Sequence, residues 1–360
     1  MAMILPGFAI EGHAQAKRPE PTLHIGDPAP PIRAAKWIKG APISTFEHGT
    51  VYVVDFWGTW CGPCIAAMPH LSDFAGRYKG KVVVVGVSVK EAKNSLEKVE
   101  NFVADKGDTM AYTVAADSDA QDVWNSWLAA AGQTAVPATF VVDQNGRLAW
   151  FGYPSRLDAV VPQILGGHWD LQAEAAATKK AQELMFVDGN DAVMRLNPFM
   201  SKRDYPGALV EVAKVIAERP ELEYYPKVGH FTFYSLVATD PARALAFGQA
   251  WIAANRDQDQ KPYTDIGDTV LWSTGRELPV TLLTFAAQCY EDALAAYPWG
   301  VDASDAHSKI AELRFRAKDV RGAIAMARQA LAEATKKGVP AARIADLQKK
   351  LDTYLAASGG

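Results

Sequence analysis

Short apolar runs alternate with longer polar-apolar segments over the first part of the chain. Residues 51–56 (VYVVDF) and 81–89 (KVVVVGVSV) are almost wholly apolar, as strands covered on both faces are. Residues 138–143 and 147–152 flank Gln144-Asn145-Gly146, which is a hairpin signal. The pattern therefore predicts two central strands and a terminal hairpin.

A helical spacing of apolar residues is found between these strands. It predicts helices over residues 61–78, 91–106 and 121–130, with Pro69 kinking the first of them. Residues 37–40 (WIKG) predict a turn between short strands. Strand, helix, strand, helix and hairpin together predict an α/β mixed sheet with helices on both faces.

The pattern changes after Gly166-Gly167, where strand signals stop and Ala-rich amphipathic segments begin. Four segments start near Asp204, Asp240, Pro279 and Asp319, at intervals of 36, 39 and 40 residues. Such intervals favour tetratricopeptide-like helical pairs, and a plain helical bundle explains them equally well. We predict a tail at 1–20, an α/β domain at 21–168 and an all-α domain at 169–360.

Composition fits two soluble globular domains. The chain has 360 residues, of which 49% are hydrophobic and 22% charged. Its net charge is −4 and the charges are interspersed. The sequence has no basic stripe that would bind nucleic acid, so we expect no nucleic-acid partner.

The N-terminus has some features of an export signal. Residues 3–10 are apolar and Ala14-Gln15-Ala16 resembles a cleavage site. No Lys or Arg precedes the run, Pro6 and Glu11 interrupt it, and it is too short to span a bilayer. We interpret it as a flexible tail or a trimmed leader. This favours a periplasmic or other extracytoplasmic location and leaves a cytoplasmic one open.

The chain has three cysteines, and two of them form one C-x-x-C, Cys61 and Cys64. This count favours redox or metal chemistry over a disulfide framework. Zinc needs four ligands, and no second C-x-x-C or Cys-His pair exists. We therefore expect no metal and no cofactor beyond the cysteine pair. The lone His70 is interpreted as a surface or packing residue. Cys289 is interpreted as core packing, against a third redox thiol or an intermolecular bridge.

The position of the cysteines at a helix start assigns their roles. The N-terminus of a helix carries unpaired N–H groups and partial positive charge, which lower the pKa of a thiol there. Cys61 is then the nucleophile and Cys64 the resolving thiol. Gly62 and Pro63 add no charge between them, so we expect a reducing couple rather than a strong oxidant.

Residues 54–64 read VDFWGTWCGPC, Pro69 follows five residues after Cys64, and Val136-Pro137-Ala138-Thr139-Phe140 comes later. Together these motifs resemble the thioredoxin-fold domain of the bacterial TlpA/ResA-type thiol:disulfide oxidoreductases. The resemblance covers about 40% of the chain, residues 21–168. It implies a thioredoxin fold and a cis peptide bond before Pro137. A cis-Pro137 would place Val136 beside the sulfurs with a free backbone edge for a substrate peptide.

Two carboxylates join the expected site. Asp55 precedes Cys61 by six residues in a buried strand, so we expect desolvation to raise its pKa and let it exchange a proton with Cys64. An exposed carboxylate at a strand end is the alternative. An Asp here resembles thioredoxin more than the TlpA/ResA group. Glu91 aligns with a glutamate near the active site of the ResA branch, and a carboxylate stabilising a helix start is the alternative.

Two tryptophans, Trp57 and Trp60, flank the motif. We expect them to form an apolar lip which, with Gly62 and Pro63, contacts a protein substrate, whereas core packing is the alternative. Peroxidatic sites place a Thr and the reactive Cys in a different motif, so a peroxidase is not favoured.

The sequence thus predicts an enzyme that reduces protein disulfides and receives electrons from an upstream thiol donor. The helical region would recruit substrate or a second subunit, or would merely cover one face of the redox domain. A helical interaction scaffold with an accessory redox domain, or a disulfide isomerase or oxidase, are the alternative functions.

Overall fold

A six-stranded mixed sheet forms the core of the N-terminal region. The structure, a computed structural model, describes residues 20–358 except 94, 185–188, 257–260, 274 and 299. The predicted tail therefore lies almost wholly outside the described residues. The sheet has the order β1-β4-β3-β2-β5-β6. Its strands are β1 Lys36–Lys39, β2 Val51–Trp57, β3 Val82–Ser88, β4 Thr113–Ala116, β5 Ala138–Val142 and β6 Leu148–Gly152.

The two apolar runs form the centre of this sheet. β2 lies parallel to β3 and antiparallel to β5, and every residue of β2 is buried. Alternate side chains of β2 enter two core clusters, one on each face. The register places Asp55 between Gly86 of β3 and Thr139 of β5. The predicted α/β sheet with helices on both faces is confirmed.

Helices α1 Gly62–Arg77, α2 Leu96–Lys106, α3 Asp122–Trp124 and α4 Leu157–Leu165 complete this region. A single π-type turn, Asn125–Ala129, extends α3. The prediction that α2 begins at residue 91 is wrong, because Lys90 has a left-handed φ of 56° and a loop follows it. The turn predicted at residues 37–40 is also wrong: Lys36–Lys39 pairs with β4, and the turn comes only at Gly40.

The remainder of the described chain is helical. It contains α5 Leu171–Glu183, α6 Gly189–Lys202, α7 Tyr205–Glu218, α8 Pro226–Thr239, α9 Pro241–Asn255, α10 Lys261–Trp272, α11 Val280–Ala296, α12 Ala303–Arg316, α13 Val320–Lys337 and α14 Ala341–Ser358. The four predicted helix starts are confirmed, since Asp204, Asp240, Pro279 and Asp319 are the N-cap residues of α7, α9, α11 and α13. Each of the three Asp side chains accepts a hydrogen bond from a backbone N–H of the first turn.

These helices pack in sequence order. Each of α6 to α13 contacts the next helix, and α6–α8, α8–α10, α9–α11 and α10–α12 also touch. Contacts made mainly with first and second neighbours are typical of a stacked helical array. The tetratricopeptide identity of the array stays a prediction. No helix in the described ranges is long and apolar enough to cross a membrane.

The helical array is attached to the sheet region through α5. Leu171 packs against the core clusters on both faces of the sheet. The side-chain amide of Gln182 donates to the carbonyl of Ala131 at 2.9 Å, and Trp169 Nε1 donates to the carbonyl of Ala149 at 3.0 Å. The domain boundary near residue 168 stays a prediction.

Close helix packing in the array can be tested at Gly267 of α10. A Cβ there would lie 2.2 Å from Cε2 of Tyr290 on α11, so Gly267→Ala should lower the free energy of unfolding by about 1–3 kcal/mol through overpacking. At Gly76 of α1 a Cβ meets nothing within 4 Å, so Gly76→Ala should raise it by about 0.5–1 kcal/mol. Urea denaturation measures both, and equal effects at the two positions would contradict this packing.

Candidate redox active site

The predicted cysteine pair lies at the start of α1. Cys61 is the N-cap and its Sγ accepts the backbone N–H of Cys64 at 3.2 Å. A disulfide joins the two residues, which are 4% and 1% exposed. Pro63 occupies the first helical turn, where its missing N–H costs no helical hydrogen bond. The N–H of Cys64 and the N-terminal end of α1 therefore both face Cys61 Sγ.

The Val136–Pro137 segment borders the same region. Its peptide bond is cis, and Val136 packs against the core cluster that contains both cysteines. Pro137 precedes the first ladder residue of β5, Ala138. Among the hydrogen bonds of the described residues, none involves the N–H or C=O of Val136. Its backbone is therefore available to a partner strand.

Asp55 lies buried on β2, 2% exposed. Its face of the strand also carries Val53 and Trp57, which belong to the core cluster of Cys64. Burial raises its pKa from 3.8 to about 7, although a hydrogen bond from Thr139 Oγ1 to Oδ1, 2.6 Å long, opposes the shift. The expected desolvation is observed, and the interpretation as an exposed carboxylate is wrong.

Glu91 holds the loop that leads into Cys61. Its Oε1 accepts the N–H of Thr59 at 2.5 Å and the Ser88 hydroxyl at 3.0 Å, and its Oε2 accepts the Thr59 hydroxyl at 2.8 Å. Because α2 starts only at Leu96, the interpretation of Glu91 as a helix-start carboxylate is wrong. The contacts support a positioning role for this side chain.

The two tryptophans have different environments. Trp60 is 57% exposed, and its Nε1 donates to the carbonyl of Lys90 at 3.2 Å. Trp57 is fully buried and stacks on Phe102 with ring centroids 5.4 Å apart. The prediction that Trp57 contacts substrate is therefore wrong, because strand alternation turns it into the core.

Sequence reasoning missed the hydrogen-bond partners of the two carboxylates, Thr139 and Thr59. Thr139 follows Pro137 by two residues, and only the β2–β5 register brings it to Asp55. Tyr112 was also missed: it is buried beside Gly86, and burial together with the charge of Asp55 raises its pKa.

The remaining candidates lie outside the redox chemistry. His70 is buried on α1 and its Nε2 lies 2.6 Å from the carboxylate of Asp158. Cys289 is buried on α11, and burial raises the pKa of its thiol. Both are packing residues, as the sequence indicated. Within the described ranges, no group of three or more His, Cys, Asp or Glu side chains could hold a metal ion.

The sheet and the cysteine pair at a helix start define a thioredoxin-fold thiol:disulfide oxidoreductase. Residues 25–151 match the family model described as the AhpC/TSA family. The chain is 30% identical over 168 residues to Protein FixW of Rhizobium leguminosarum, covering 44% of this chain and 74% of that one. It is 27% identical over 152 residues to thiol:disulfide interchange protein HelX of Rhodobacter capsulatus, and the match covers 41% of this chain and 80% of HelX.

Two further thiol:disulfide exchange proteins are similar to the chain. Thiol-disulfide oxidoreductase ResA of Geobacillus thermodenitrificans is 35% identical over 106 residues, which cover 29% of this chain and 55% of ResA. A solved thiol:disulfide interchange protein of Chlorobium tepidum is 25% identical to this chain, with a TM-score of 0.33. The match covers 39% of this chain and 97% of the Chlorobium tepidum chain. Residues 25–151 form a domain of the AhpC/TSA family, and the chain is a thioredoxin-like thiol:disulfide oxidoreductase related to FixW, HelX and ResA.

The raised pKa of Asp55 predicts a pH dependence of stability. Between pH 3.8 and about 7 the folded protein holds a proton that the unfolded chain releases, so the free energy of unfolding falls as pH rises through this window. The Asp55 contribution is on the order of 4 kcal/mol. Asp55→Asn should remove this fall and make the variant more stable than the wild type at pH 8.

Urea denaturation of both oxidised proteins at pH 4.5 and pH 8 measures this effect. The matched control is Asp105→Asn, at an exposed position on α2, which should keep the wild-type pH dependence. An Asp55→Asn curve parallel to that of the wild type would show that Asp55 does not carry the shift.

Proposed function

We propose that this oxidoreductase reduces disulfide bonds of polypeptide substrates, with Cys61 as nucleophile and Cys64 as resolving thiol. The observation that carries the proposal is the hydrogen bond from the N–H of Cys64 to Cys61 Sγ at the start of α1. It supports a thiolate at Cys61 in the reduced protein. The unpaired backbone of Val136 supports a polypeptide as the substrate.

The exchange runs in two displacement steps. The Cys61 thiolate attacks one sulfur of the substrate disulfide, forming a mixed disulfide and releasing the other substrate sulfur as a thiolate. The Cys64 thiolate then attacks Cys61 Sγ, which releases the second substrate sulfur and forms the Cys61–Cys64 disulfide. Two electrons pass from the protein to the substrate. An upstream dithiol donor returns them and restores both thiols.

Asp55 would accept the proton of Cys64 and later return it. A carboxyl group with a pKa of about 7 is a base matched to neutral pH, where it takes a proton and gives it back at little cost. Its placement on the face of β2 that packs with Cys64 supports this role. Glu91 supports the exchange indirectly, through the Thr59 loop.

The direction of exchange is proposed to be reductive. Gly62 and Pro63 place no charged side chain between the cysteines, so the thiolate gains stabilisation mainly from the helix end. A reduction potential near that of thioredoxin, about −270 mV, would support a reductase, whereas one near −120 mV would indicate an oxidase. Measuring the Cys61/Cys64 couple against glutathione decides between them.

The cellular setting is inferred from the sequence. We infer an extracytoplasmic location from the leader-like residues 3–16, which lie outside the described residues. Reporter fusions to the full-length gene product test it. The helical array is proposed to recruit the substrate or a second subunit, and a scaffold with an accessory redox domain is the competing function.

Serine substitutions test the assignment of the two thiols. Cys61→Ser should abolish insulin reduction, while Cys64→Ser should accumulate a mixed disulfide with substrate, because the nucleophile remains and the resolving thiol is gone. Gel mobility without reductant detects the adduct. Cys289→Ala is the matched control and should reduce insulin like the wild type. An adduct formed by Cys61→Ser in place of Cys64→Ser would reverse the assignment.

The proton role of Asp55 is tested by rate. Asp55→Asn cannot accept the Cys64 proton, so turnover at pH 7 should fall about 10²-fold. The deficit should shrink above pH 9, where Cys64 ionises without a base. Stopped-flow measurement of the release of the second substrate thiol follows this step. A deficit of equal size at every pH would assign Asp55 a purely structural role.

A further inference from the structure

A cleft separates the redox site from the helical array. Its volume is about 260 Å³. One wall belongs to the redox region and includes Pro63, Val136 and Pro137, and the other includes Lys261 and Thr264 of α10. Residues that are far apart in the sequence, such as Pro63, Pro137 and Lys261, therefore share one cavity beside the cysteine pair.

The two walls differ in chemistry. The redox wall is mostly apolar and contains the unpaired backbone of Val136; its residues are Pro63, Ala67, Val136, Pro137, Tyr153, Pro154 and Ser155. Lys261 and Thr264 are three residues apart on α10 and so share one helix face. The Lys261 side chain is 58% exposed and lies 3.4 Å from the carboxylate of Asp265. The Thr264 hydroxyl donates to the carbonyl of Lys261 at 3.1 Å. The helical wall thus carries an ammonium group beside the Asp265 carboxylate, and a hydroxyl oxygen that can accept a hydrogen bond.

The helical wall is held firmly in place. Tyr263, Ile266 and Val270 of α10 are buried in the core of the array. Gly267 allows the ring of Tyr290 to approach closely. Since packed helix cores deform little, this wall is rigid within the array.

We propose that α10 forms the second wall of the substrate cleft and reads an extended substrate segment next to the reacting cysteine. This inference rests on the proposed disulfide reductase function. Successive side chains of an extended strand point to opposite sides. With its backbone paired to Val136, the segment places one side chain on the apolar wall and the next one toward Lys261 and Thr264. The preferred residue facing α10 is acidic, because it meets the ammonium group of Lys261.

The size of the cleft favours such a segment. Pockets for whole small ligands have volumes of roughly 300–1,000 Å³, and this cleft is slightly smaller at about 260 Å³. It therefore suits one or two side chains of a longer chain that continues into solvent. Specificity would then arise partly in the helical array and partly beside the sulfurs.

The test compares substrates on the full-length reduced protein. The substrates are hydroxyethyl disulfide and two short cystine peptides, which carry Glu or Lys next to the cysteine. Thr264→Trp narrows the cleft, so the ratio of kcat/KM for the Glu peptide to that for hydroxyethyl disulfide should fall about tenfold or more. The matched control is Val210→Trp, at a 60% exposed position on α7, which should leave this ratio unchanged.

The charge arm uses Lys261→Glu. The wild type should prefer the Glu peptide, and Lys261→Glu should reverse that preference, because like charges facing each other across the cleft repel. The Lys261→Glu experiment tests the proposal even if Thr264→Trp does not fold. Unchanged peptide ratios in both variants would overturn the role of α10. Absence of any reaction of the wild type with hydroxyethyl disulfide would instead overturn the proposed function.

Discussion

The start of α1 is the point on which the redox site depends. The buried strand β2 ends at Trp57, four residues before Cys61. The first turn of α1 then directs the backbone N–H of Cys64 toward the sulfur of Cys61. The short connection is fixed by Glu91, which accepts both polar hydrogens of Thr59. A carboxylate from the loop after β3 therefore holds the segment that leads into the cysteine pair.

The strand that builds the core also raises the pKa of the carboxyl group that it carries. Because β2 is covered on both faces, a carboxyl on it loses hydration, and one hydrogen bond from Thr139 only partly compensates. Gly86, the neighbour of Asp55 on β3, has no side chain, which leaves room for the rings of Tyr112 and Trp57. Removing water from this pocket is what brings the pKa of Asp55 to about 7.

Some of this could be predicted from sequence and some could not. Long apolar runs specify β2 and β3, and Asp caps specify the starts of α7, α9 and α13, because these signals are local. β4 has only four residues, too few to show an alternation. The start of α2 was misjudged because Lys90 has a left-handed φ and its carbonyl accepts a hydrogen bond from Trp60, features that no local pattern reveals. Trp57 was misjudged because being next to the motif in sequence does not decide on which side of a strand a residue lies.

The cleft beside the sulfurs has no local signal at all, since it exists only where two distant segments meet. α5 anchors the array on the sheet through Leu171 and Gln182, and the stacked helices then carry α10 to the Val136–Pro137 segment. A change in the length or packing of any helix between α5 and α10 would therefore move the far wall and leave the cysteine pair intact. If α10 reads the substrate as proposed, its share of the substrate preference can change without a change in the disulfide chemistry, because α10 packs in a core of its own.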